Sequence, residues 1–131
     1  MIPKFRAYDN SSLTRMYQPD EVMVGNGDIW IIDEDSVAGE WIVNNDIHLM
    51  QSTGLLDKNG KEIFEGDILA FETNDEVINV KIFWDEKHAL FMFRSEKYNE
   101  EEPLAELVEA NTYPFEIIGN IYENPELLED K

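Results

Sequence analysis

Residues 77–93 read VINVKIFWDEKHALFMF, and this stretch decides the fold. Val77 to Trp84 is dense in β-branched and aromatic residues, which suit a pleated, half-buried surface. Asp85-Glu86-Lys87-His88 is polar and turn-prone, and Ala89-Leu90-Phe91-Met92-Phe93 is apolar again. Two such runs about a short polar link predict an antiparallel hairpin.

The same pattern repeats on either side of this hairpin. Toward the N-terminus, Ile68 to Phe71 is a strand entered through the corner Glu65-Gly66-Asp67. Asp57-Lys58-Asn59-Gly60-Lys61 contains Asn-Gly, a strong hairpin signal because both residues tolerate positive φ. Ile47 to Gln51 and Ile29 to Ile32 read as further strands, the latter entered through Gly25-Asn26-Gly27-Asp28. Glu40 to Val43 is a short apolar segment, and Phe5–Tyr17 reads as a hairpin turned by Asp9-Asn10-Ser11-Ser12.

Toward the C-terminus, Glu100-Glu101-Glu102-Pro103 carries acids and a proline, the signature of a helix start. Leu104, Leu107 and Val108 follow at the spacing of one helical face, with Asn111 as its end. Phe115 to Gly119 is a last strand, and Asn124-Pro125 opens a helical turn with Asn124 as N-cap. Many short strands with closely spaced turns predict a mainly β chain, a small barrel or sandwich with one short inserted helix. Trp30, Trp41 and Trp84 all lie in apolar strands and read as core.

Charge narrows the function classes. Ten Lys and Arg stand against 29 Asp and Glu, a net charge of −19. Residues 25–48 hold six acids and no base, and residues 96–131 hold eleven acids and two bases. Binding a phosphate backbone requires clustered Lys and Arg, so direct nucleic-acid binding and attachment to an anionic membrane are not expected. Long-range attraction favours a basic protein as partner. Solubility alone accounts for such a composition, whereas imitation of a nucleic-acid backbone would need carboxylates in rows. There is no cysteine, and no apolar run approaches the ~20 residues of a membrane helix. Met1 to Arg6 lacks the pattern of a signal peptide, so a cytoplasmic location is expected.

Catalytic signatures are missing. His48 and His88 are the only histidines, forty residues apart, without the spacing of a metal motif. The acidic runs 33–35 and 100–102 lack the glycine-punctuated pattern of a calcium loop. No G-x-S-x-G elbow, Walker loop or dinucleotide fingerprint occurs, and Gly25-Asn26-Gly27 is too short to cradle phosphate. No cofactor and no metal are expected, and an enzyme, such as a metal-dependent hydrolase, ranks last.

Three segments carry a resemblance. Residues 2–17 read IPKFRAYDNSSLTRMY, residues 49–69 read LMQSTGLLDKNGKEIFEGDIL and residues 116–128 read EIIGNIYENPELL. In this order and spacing they closely resemble the YopX family of phage and prophage proteins. Ser52 departs from the pattern, which has a bulkier residue there. The resemblance implies an SH3-like β-barrel over 46–131, preceded by a smaller β-rich region over 1–45, and a homo-oligomer. It brings no established activity. Its motif residues Gly54, Asp57, Asn59, Gly60, Gly66, Asp67, Gly119, Asn120, Asn124 and Pro125 read as turn formers and not as a nucleophile–base pair. The expected role is a non-catalytic, homo-oligomeric, protein-binding accessory protein. The alternative is an acidic nucleic-acid mimic that blocks a host DNA-binding protein.

Overall fold

In the computed structural model, residues 4–11, 14–33, 35–110 and 114–129 are described. The chain is mostly β and divides into two compact units, Met1–Ser52 and Thr53–Lys131.

In the first unit, β1 (Phe5–Asp9) pairs with β2 (Arg15–Tyr17), setting Ala7 opposite Tyr17. On its other side β1 pairs with the first half of β6 (His48–Leu56), from Phe5 opposite Gln51 to Tyr8 opposite His48. A second, three-stranded sheet runs β3 (Val22–Gly25), β4 (Asp28–Ile32), β5 (Trp41–Val43), in that order. Its first turn places Asn26 and Gly27 at φ of 54° and 80°, the left-handed pair that a two-residue hairpin loop demands. Ala7, Tyr17, Val22, Ile31 and Ile47 form the core of this unit.

The second unit holds the rest of β6 with β7 (Glu62–Phe64) beside it, and a five-stranded antiparallel sheet that curls into a half-barrel. The five strands lie in the order β11 (Glu100–Pro103), β10 (Leu90–Ser95), β9 (Val77–Asp85), β8 (Asp67–Glu72), β12 (Phe115–Asn120). Ile63, Leu69, Val80, Ile82, Phe93, Leu104 and Phe115 fill its concave side, with Leu104 opening the only α-helix among the described residues, α1 (Leu104–Ala110). The hairpin β9–β10 forms, with Phe93 opposite Ile82 and Leu90 opposite Asp85. Ala89 is not strand: it sits at φ 53° and closes the turn.

Three expectations are corrected. Glu100–Pro103 does not start the helix; it is an edge strand, with Glu101 opposite Arg94 and Glu102 opposite Phe93. The helix begins only at Leu104, and its expected end at Asn111 lies outside the described residues. The tryptophans are not core. Trp41 and Trp84 are 36% and 37% exposed, and Trp30 is half-buried with its indole N–H donating to the Gly25 carbonyl at 3.2 Å. Asn124 precedes a 3-10 turn (Pro125–Leu128) but its side chain does not cap it.

Candidate functional site

The motif residues stand at the corners of the second unit. Asp57 is the most heavily engaged. Its Oδ1 accepts the backbone N–H of Asn59 at 2.9 Å and of Lys61 at 2.8 Å, and its Oδ2 accepts that of Ile117 at 3.0 Å. The carboxylate thus ties the β6–β7 turn to a strand sixty residues on. Burial pushes the Asp57 carboxyl up, but the three N–H donors outweigh it and the pKa falls below the ordinary value. In the same turn only Gly60, at φ 80°, is left-handed, and its N–H returns to the Asp57 carbonyl at 3.0 Å. Asn59 keeps negative φ, so this is a type I turn closed by glycine, not a pair of left-handed residues.

Gly66, at φ 88°, turns β7 into β8 while its N–H donates to the Ile82 carbonyl at 2.8 Å. Asp67 is buried and accepts the Phe64 N–H at 2.8 Å. Gly54, at φ 78°, lies within β6. The last corner works by close approach. Asn124 Oδ1 accepts the Asn120 N–H at 3.2 Å, and a Cβ on Gly119 would stand 2.5 Å from that oxygen. Asn120 in turn accepts the N–H groups of Tyr122 and Glu123 at 3.0 and 2.9 Å, and Pro125 opens the 3-10 turn. Asp57, Asp67, Asn120 and Asn124 all accept from backbone N–H groups, and the Asn120 amide also donates to the Glu123 carboxylate at 2.8 Å.

The feature with room for a ligand lies elsewhere in this unit. On the concave face one row of side chains runs Ile117, Leu69, Val80, Ser95, Glu100 across the five strands, and the next runs Ile82, Phe93, Glu102. Both rows pass from apolar core to carboxylate at the edge. Beyond the packed centre they leave a cleft of about 350 Å³. Phe71, Ile78, Val80 and Phe93 floor it, Leu107 of α1 walls it, and Glu100, Glu102 and Glu106 stand around it. Tyr98 closes one side, its hydroxyl donating to Glu76, which also accepts from Lys97. The Glu76 carboxylate raises the pKa of the Tyr98 phenol; Lys97 and then Tyr98 lower that of Glu76.

The reverse face of the same strands is balanced. Lys81 pairs with Glu96 at 3.2 Å, and Arg94 with Glu96 at 3.2 Å and Glu101 at 3.6 Å. Among the described residues no Lys, Arg or His lines the cleft. Among the described residues no group of three or more His, Asp or Glu converges as a metal site. His48 lies in β6, and His88 is an exposed turn residue whose Nδ1 meets Asp85 at 2.7 Å.

Sequence reasoning missed the cleft because it placed Glu100 and Glu102 on a helix. A signal was available in Asn99, a turn former two residues after Lys97, which sits at φ 53° like Ala89 in the preceding hairpin.

The unpaired surface of the first unit is of another kind. In the sheet β3-β4-β5, Met23, Trp30 and Val43 form one cross-strand row, and Ile32 and Trp41 the next, on a single face. Met23 and Val43 are each 45% exposed.

Comparison with known proteins gives a family and a fold. The profile of the YopX protein family matches residues 4–129. The crystal structure of protein EF1440 from Enterococcus faecalis is 29% identical, with a TM-score of 0.62 over 98% of this chain and 99% of that one. The crystal structure of protein yopX from Bacillus subtilis is 16% identical, with a TM-score of 0.65 over 96% and 98%. The curated proteins gave no match. Among the described residues no helix is long and apolar enough to cross a membrane.

Proposed function

Because the chain belongs to the YopX family over nearly its whole length, its work has to be read from its surfaces, and we propose that it is a phage or prophage accessory protein that acts without catalysis, assembling with copies of itself and binding another protein in the cytoplasm of a bacterial host.

The observation that carries this reading is the open face of β3-β4-β5. Scattered exposed apolar residues are ordinary on a protein surface, but here the exposed Met23, Trp41 and Val43 stand with the half-buried Trp30 in adjacent rows on one face of a sheet, beside Ile32, which also packs against the core of its unit. The occupant is a second copy. Subunits of net charge −19 repel one another, so a contact between them belongs where carboxylates are fewest and apolar burial is greatest. The acids nearest these rows on this face are Glu21, beyond Ile32 and held by Arg15, and Asp28, beyond Trp30 and held by the Asn45 amide. The alternative of a nucleic-acid decoy needs long rows of carboxylates; β11 aligns two on one face, too few to imitate a backbone.

Sedimentation at micromolar concentration tests the assembly. The wild type is expected to run heavier than 15.3 kDa, and Val43→Lys to run as the 15.3 kDa monomer. Lysine lowers the repulsion between copies, so a loss of assembly on its introduction isolates the apolar contact. A wild type that sediments only as the monomer overturns the reading.

A further inference from the structure

We propose that the half-barrel cleft docks a polypeptide segment by taking in one of its lysine or arginine side chains, with the aliphatic stem on Phe71, Ile78 and Phe93 and the cationic head among Glu100, Glu102 and Glu106. This rests on the protein-binding half of the function above and names the chemistry of the partner.

Two independent observations meet at this place. The floor is apolar and open, in a volume at the lower end of the ~300–1,000 Å³ of ligand pockets. The edge is acidic from two elements, β11 and α1, and among the described residues none of the three glutamates is in an ion pair. The sheet keeps Lys81 and Arg94 on its other face, and Lys97, the cation beside Tyr98, pairs with Glu76 and with none of the three glutamates. The three glutamates are exposed, so each attracts a cation as a surface carboxylate does, and it is their gathering at one edge of an apolar floor that selects a long cationic side chain. Long cationic side chains have the matching form, an apolar stem that covers hydrophobic surface and a head that seeks polar company. Residues 96–131, with eleven acids against two bases, draw such a segment in from a distance.

A plainer account exists for part of this. Charges pointing inward from an edge strand also deter strand-to-strand aggregation. That account explains Glu100 and Glu102 but neither Glu106, which comes from the helix, nor the open floor.

The test is fluorescence anisotropy of dye-labelled decapeptides with the full-length protein in 50 mM salt. One peptide carries a central Leu-Lys-Leu. A second has norleucine for lysine, keeping the stem without the charge, and a third has diaminopropionic acid, keeping the charge without the stem. The lysine peptide is expected to bind and both analogues to bind about tenfold more weakly. E100Q/E102Q is expected to weaken the lysine peptide roughly five- to tenfold, the sum of two partly exposed ion pairs. Leu107→Asn is expected to weaken it comparably, and the remote pair E86Q/E126Q to leave it within about twofold.

Four results overturn the proposal: equal binding of the norleucine peptide, equal loss from both glutamine pairs, displacement of the peptide by an equal concentration of spermidine, or no peptide binding at all. Unchanged peptide binding with increased self-association of E100Q/E102Q also overturns it and assigns these residues to edge protection. Sedimentation of the same samples keeps self-assembly separate, since a protein that assembles but binds no peptide loses the cleft and retains the open face.

Discussion

The three-stranded sheet of the first unit and the five-stranded sheet of the second share an alphabet of Val, Ile and Trp, and they dispose of it in different ways. In the half-barrel, alternation holds at the centre of β9. Val80 and Ile82 face the core at 0% and 1% exposure while Lys81 between them faces Glu96 outside. In β3-β4-β5, both faces are apolar. Val22 and Ile31 enter the core of their unit, while Met23, Trp30 and Val43 stand on the other side. A strand with apolar residues on both faces requires cover on both. On the reading proposed above, the first sheet is the surface that takes a partner, while the second packs its own core and leaves a cleft at its edge.

The sharpest way to break this comparison is to remove a side chain at the centre of the half-barrel. Leu69 is fully buried between Ile117 and Val80 in the concave row. Leu69→Ala is expected to cost about 2–5 kcal/mol, the lost transfer energy plus a cavity. Urea unfolding followed by tryptophan fluorescence measures it. A loss under ~1 kcal/mol would mean that the half-barrel is not the packed body described.

A second contrast lies between polar ties. Asp57 holds three backbone donors in a buried corner of the second unit, whereas Asn45 holds the Ile29 N–H at 2.8 Å in an exposed corner of the first. Asp57→Ala strips three part-buried donors of their acceptor and is expected to cost about 2–3 kcal/mol, and Asn45→Ala about 0.5–1 kcal/mol because water replaces the lost acceptor. The pH dependence follows from the lowered Asp57 pKa. Its contribution is whole above the unfolded aspartate value of about 3.9 and is lost as pH falls through the lower folded value. Asp57→Asn is expected to flatten that part of the acid-unfolding curve. A curve of unchanged shape would show that another carboxylate governs acid unfolding.

The contrast also marks what could be read in advance. The hairpins were legible wherever a turn announces itself chemically, at Gly25-Asn26-Gly27-Asp28, at Asp57 to Lys61 and at Asp85 to His88, because these residues act on the backbone within a few positions. The edge strand β11 was not. Acids before a proline and an apolar stripe are good helix-start chemistry, but pairing with Arg94 and Ser95 prevailed over it. The tryptophans failed for a related reason. Composition says that a strand is apolar; only the third dimension says which of its faces is covered. Asn124 illustrates the same limit, its side chain being drawn to Asn120 and against Gly119 instead of to the turn it precedes. The cleft combined two of these failures, since its glutamates lie on the misread strand and its floor gathers strands β8 to β10 with the helix.

The smallest expected effect is the most direct comparison of the two sheets. Valine and threonine are nearly isosteric and both favour strands, so exchanging them removes apolar character with little change of shape or propensity. At Val80, in the core, the buried hydroxyl of Val80→Thr is expected to cost about 1–3 kcal/mol. At Val43, which is 45% exposed, Val43→Thr in dilute, monomeric protein is expected to stay within about 0.5 kcal/mol of wild type in urea unfolding. The pair becomes informative as concentration rises. If copies cover the open face, Val43→Thr acquires a stability deficit that grows with protein concentration, because only the wild type gains from mass action. A deficit at Val43 that is large already at high dilution would instead mean that this residue supports its own sheet, and the case for a partner on that face would fail.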